Sequence, residues 1–150
     1  MRGFTIIELL LVIAIAVILL VIVLSGFSNL RQSSDFTLAV DEAVSFLQEA
    51  RAKTLSSEND SVYGVHFETS QFVLFTGDTY NAASASNKVR ALPSSVEISS
   101  FLLTGGGDAV VFKRLTGETA TYGTITFRRT DDPSITKTIE VVSTGLAGVQ

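Results

Sequence analysis

The residues that most constrain this chain are 4–24, FTIIELLLVIAIAVILLVIVL, in which 19 of 21 are apolar and the only charge is Glu8. Residues 9–24 form an unbroken apolar run. As a helix, the whole stretch would be about 32 Å long, close to a hydrocarbon core of about 30 Å. Its apolar surface covers every face, so it does not fit a surface helix with one buried stripe. A cleaved secretory signal is the rival reading. That would need an apolar stretch of about 7–15 residues before a small-residue cut, and Ser25-Gly26 is a weak site behind too long a run. Residues 25–150 are about 39% apolar, the ordinary content of a folded domain. The chain of 150 residues carries a net charge of −4 and no cysteine. These values exclude a polytopic transporter, a disordered tail, a disulfide-stapled mini-protein and thiol or zinc-finger chemistry.

Glu8 is the informative residue of that segment. A carboxylate costs about 2.5–3.5 kcal/mol at the centre of a spanning helix, less near its end, and marks function by default. One reading leaves Glu8 at an interface, reaching water. Another follows from a cut between Gly3 and Phe4, which makes Glu8 the fifth residue of the mature chain. The new α-ammonium then lies four residues upstream, on the same helix face. In an assembly, the ammonium of one subunit could instead neutralise Glu8 of the next. Arg2 and the amino terminus favour a cytoplasmic N-terminal end.

The string Arg2-Gly3-Phe4-Thr5-Ile6-Ile7-Glu8-Leu9-Leu10 resembles the prepilin processing motif of type IV pilins and type II secretion pseudopilins. The resemblance implies that a prepilin peptidase cuts after Gly3 and methylates Phe4. The apolar stretch would then be retained, with Glu8 as the charged assembly residue. It further implies a single-pass inner-membrane protein with its head outside the cytoplasm, reaching the periplasm or cell surface once assembled. The implied partners are the inner membrane, the peptidase and other pilins or pseudopilins in a filament or tip complex.

Further along, Phe36, Val40, Ala43, Leu47 and Ala50 recur at spacings of 4, 3, 4 and 3, one stripe of an amphipathic helix. After residue 60 the period falls to two. Strands are expected over residues 62–68, 71–76, 96–103, 109–115, 121–129 and 135–142, with residues 77–88 as a loop. The expected fold class is α+β and pilin-like. A long N-terminal helix, membrane-spanning in its first half and amphipathic in its second, packs on a small antiparallel sheet. The divisions are a leader (1–3), a transmembrane or filament-core helix (4–24), its amphipathic continuation (25–56) and a β-rich head (57–150). The stretch from Phe46 through Ala50-Arg51 to Leu55 is similar to the L-x-x-A-R-x-x-A segment of GspH/FimT-like minor pseudopilins. The glycines at Gly117, Gly123 and Gly145, with their flanking apolar residues, resemble that family's C-terminal series.

Catalytic chemistry finds little support. His66 is the sole histidine and reads as a packed or surface strand residue, because a general base needs a positioned partner. No G-x-S-x-G elbow is present, and Gly105-Gly106-Gly107 lacks the Lys-Ser/Thr of a phosphate loop. Asp131-Asp132-Pro133 reads as a turn. The chain is expected to be a structural subunit, not an enzyme, without metal or cofactor. The alternative is an anchored pilin whose head binds DNA or another extracellular ligand, as some FimT-like relatives do. Lys113, Arg114, Arg128 and Arg129 are the candidate patch. Residues 25–150 nevertheless hold 10 basic against 14 acidic residues, a poor balance for phosphate binding.

Overall fold

The 4-3-4-3 spacing turns one helix face toward the rest of the head, and Phe36, Val40, Ala43, Leu47 and Ala50 are all buried. The computed structural model describes residues 5–150, with side chains described for 5–22 and 31–150. Helix α1 is Ile6–Leu55. The chain divides into two units, Met1–Ser34 and Asp35–Gln150, so α1 contributes to both.

In the second unit a single 3-10 turn, Glu58–Asp60, follows the helix. Eight strands come after it: β1 (Tyr63–Glu68), β2 (Gln71–Thr76), β3 (Lys88–Ala91), β4 (Val96–Leu103), β5 (Ala109–Val111), β6 (Gly123–Arg129), β7 (Thr136–Val141) and β8 (Ala147–Val149). They form two antiparallel sheets of four strands, ordered β3-β2-β1-β5 and β4-β6-β7-β8. The core joins the helix stripe to Val65, Phe67, Phe72 and Leu74 of the first sheet and Ile98, Ile125, Phe127, Ile139 and Val141 of the second. Phe46 meets Phe72 edge-on, with ring centroids 4.9 Å apart, a geometry that aromatic quadrupoles favour.

Two polar contacts tie the helix end to the sheets. Buried Thr54 donates from Oγ1 to Ala50 O at 2.8 Å and accepts the Tyr63 N–H at 2.9 Å, fixing where β1 begins. Arg51 reaches in the other direction. Its Nε donates to Gly117 O at 3.2 Å and its Nη2 to Thr144 O at 3.4 Å. These carbonyls belong to two loops whose backbones nearly touch. Gly145 has φ +80, and a Cβ there would lie 1.8 Å from Gly117 O. Only glycine suits both that conformation and that approach.

The expected architecture is corrected on two counts. Among the described residues no helix is long and apolar enough to cross a membrane. The transmembrane first half (4–24) and the single-pass inner-membrane placement are withdrawn. The long helix on one small sheet is likewise replaced by a domain of one helix face and two four-stranded sheets. Two strands were not expected. All four residues of β3 are exposed and two of them are basic, whereas β8 is three residues long and has no alternating pattern.

Gly145→Ala is expected to lower stability by about 2–4 kcal/mol, combining left-handed strain with a backbone clash. Urea unfolding of the full chain checks it. Gly148→Ala, at a position with nothing within 4 Å of the added methyl, should change little.

Candidate functional site

Gly3 and Phe4, expected at the processing cut, lie outside the described residues. Glu8 lies inside them and has a clear local setting. The Glu8 N–H donates to Thr5 Oγ1 at 3.3 Å, and Leu9 N–H to Thr5 O at 3.2 Å. Thr5 therefore caps α1, with Glu8 three residues on, the spacing of a capping box. The Glu8 carboxylate also sits in the first turn, where the helix dipole favours negative charge. Sequence reasoning gave Glu8 an assembly role and missed this one, although Thr5-x-x-Glu8 was a readable signal. Beyond it, every described residue of the segment through 22 is exposed. The large apolar side chains range from 49% exposed at Ile15 to 80% at Ile6. Contiguous apolar surface of this extent marks an interaction site.

The four basic residues are not gathered into one patch. Lys113 and Arg114 follow β5, on the first sheet, whereas Arg128 and Arg129 end β6, on the second. Strand β6 starts at Gly123, two residues after Thr121, whose Oγ1 accepts the Val111 N–H. It then carries its last residue about 20 Å away along the strand. The three arginines also have carboxylate partners: Arg114 with Asp60, Arg128 with Glu97 and Arg129 with Asp131. Their charge is compensated locally.

His66 is 7% exposed and lies in a polar setting built by three segments. Glu68 Oε1, two residues on along β1, is 3.3 Å from Nε2, and Asp108 Oδ1 is 3.3 Å from Nδ1. Tyr80, from the β2–β3 connection, stacks on the imidazole with centroids 3.9 Å apart and planes 14° from parallel. The strand period places Glu68 on the same face as His66. Asp108 becomes visible only through the β1–β5 register, in which His66 is opposite Ala109. Among the described residues no group of three or more His, Cys, Asp or Glu could hold a metal ion.

No protein-family model, curated protein or solved structure matches the chain.

The turn at Asp131 yields a pH prediction. A hydrogen bond from the Arg129 side chain holds the Asp131 carboxyl below the ordinary 3.8. A depressed folded value contributes stability above the ordinary carboxylate pKa and loses it as pH falls through the folded value. NMR titration should place the Asp131 midpoint below 3.8. Arg129→Gln should move it upward, and an unmoved midpoint would contradict the pairing.

Proposed function

We propose that the chain is a pilin-like structural subunit, cut after Gly3 and assembled by packing its N-terminal helix against the helices of other subunits. One observation carries the reading: residues 6–22 present exposed apolar side chains on all sides of a helix, with Glu8 as their only charge. Fully burying one such Leu, Ile or Val contributes about 1.5–3 kcal/mol, so neighbouring apolar helices are a strong driving force for association. The prepilin-type string around Gly3 and Phe4 supports the same reading. An unpaired carboxylate buried by such packing is costly. The freed α-ammonium of Phe4, on its own helix or a neighbour's, is the natural counter-charge.

Mass spectrometry of the full chain co-expressed with a prepilin peptidase should show a species beginning at N-methylated Phe4. A start beyond residue 24 would overturn the proposal. Two substitutions then separate the charge of Glu8 from its capping position. Glu8→Gln keeps a residue suited to the capping box but removes the charge, and should reduce incorporation into pulled-down filaments about as much as Glu8→Ala. Normal incorporation of Glu8→Gln would leave only the capping role.

A further inference from the structure

A sheet edge carries a row of unpaired N–H and C=O groups, a template for another strand unless something guards it. Three of the four edges in this fold are guarded. On β5, the Val111 N–H donates to Thr121 Oγ1 at 3.2 Å, and Val111 O accepts from Thr119 Oγ1 at 2.8 Å. On β4, the Val96 and Ile98 N–H groups donate to Pro93 O and Thr69 O, and the ladder shifts register between Ile98 and Ser100. Strand β3 carries two cations, Lys88 and Arg90, among its four residues, and charge is a device that keeps edges from pairing.

Strand β8 has none of these devices. The Gln150 N–H donates to Thr138 O at 2.9 Å and the Val142 N–H to Leu146 O at 3.0 Å, which fixes the phase of β8 against β7. Val141 is opposite Ala147 and Ile139 opposite Val149, so these pairs are the ones that do not exchange hydrogen bonds. Ala147 and Val149 therefore direct their N–H and C=O groups away from β7, and among the described residues no group receives them. Residues 144–150 include no charged side chain and no proline, and nearby Glu140 is engaged by Gln150 Nε2 at 2.8 Å. Leu146 is 59% exposed and Val149 46%. Beside this edge, a cavity of about 130 Å³ lies between Gln48, Ala52 and Leu55 of α1 and the pair Leu146-Ala147.

We propose that β8 pairs antiparallel with β8 of a second copy of this chain, about a two-fold axis at Gly148. The axis sets Ala147 of each copy opposite Val149 of the other, the register that joins their outward N–H and C=O groups. Residues directly opposite share a face, so Val149 of the second copy lies beside Ala147 and fills the space between α1 and the edge. A two-fold brings like side chains together, which a charged strand resists and this uncharged one does not. The axis itself is open, because nothing lies within 4 Å of a Cβ added at Gly148. The sheet ordered β4-β6-β7-β8 then continues into its copy. The proposal is independent of the assembly reading, because all its residues lie in the second unit.

The chain has no cysteine, so single introduced cysteines report the contact. Across the axis, the facing Cα atoms of Gly148 form a non-hydrogen-bonded pair about 4.5 Å apart, inside the disulfide range of about 4.4–6.8 Å. The test oxidises the full chain in detergent micelles with glutathione disulfide and follows the covalent dimer on gels. Gly148→Cys should cross-link about tenfold or more faster than Val89→Cys, on the exposed β3, because pairing raises the effective concentration of its thiol. Association through the N-terminal helices would speed both alike, so only an excess at Gly148→Cys belongs to β8. Added to Gly148→Cys, Val149→Pro removes an outward N–H and spares the β7 ladder, a change that edge strands tolerate. It should bring the rate down to that of Val89→Cys. Ala52→Phe, at an exposed helix position, occupies the cavity and should also slow cross-linking; it serves should Val149→Pro fail to fold. Equal rates for Gly148→Cys and Val89→Cys overturn the proposal and leave the edge to a strand of another protein. Cross-linking that neither second substitution slows overturns it as well.

Discussion

Burial of one helix face organises the second unit. Val40, Ala43 and Ala50 have no exposed surface and Leu47 has 1%. Small residues at two of these positions let the sheets approach closely, while Phe36, Phe46 and Leu47 fill the space between. Both sheets contribute to the same core, so neither has an independent apolar interior. Thr54 and Arg51 then convert a non-directional apolar contact into a fixed one. The first sets the start of β1, and the second holds two C-terminal loops by their carbonyls. Hydrogen bonds from a charged donor contribute about 1.5–3 kcal/mol each at best, less at the partly exposed Arg51. Their importance lies in register. Arg51 meets Gly117 and Gly145, residues far apart in sequence, at the point where their backbones leave no room for a side chain.

Elements rich in apolar residues, whether spaced along one face or in a continuous run, were legible from sequence. The helix stripe repeats an apolar residue at helical spacing, β2 is a run of four consecutive apolar residues all buried, and β4 alternates over Val96–Ile98 before a register shift. Strand β3 was missed because its stability comes from elsewhere. It pairs with β2 along Gln71–Leu74, and Lys88 and Arg90 form ion pairs with Glu49 and Glu42 of α1. Lys88 Nζ also lies 4.8 Å from the Phe46 ring centroid. None of this leaves a period-two apolar trace. Strand β8 depends on the Val142–Leu146 turn folding back onto β7, a tertiary event with no local pattern. The division of the strands into two sheets was equally invisible, since alternation shows that a strand has a buried face and not which strand lies beside it.

The candidate sites show the same division between local and long-range signals. The Thr5-x-x-Glu8 cap is contained in four residues and could have been read directly. The setting of His66 could be read only in half. Glu68 follows from strand periodicity, while Asp108 and Tyr80 arrive through sheet register and a loop path. The basic pairs at 113–114 and 128–129 look like one patch in sequence because nothing there encodes distance. In the fold they belong to different sheets.

The local pairing of those cations bears on what the head surface can do. An arginine that already faces a carboxylate must exchange that partner for a phosphate before it can contribute to nucleic-acid binding. The freed carboxylate then repels the incoming polyanion. Arg128 beside Glu97 and Arg114 beside Asp60 both meet this opposition, on a chain whose net charge is already −4. Surface ion pairs contribute only about 0–1 kcal/mol each, so stability alone does not account for their regularity. Their physical effect is to leave the head without a strong field of either sign around its basic residues.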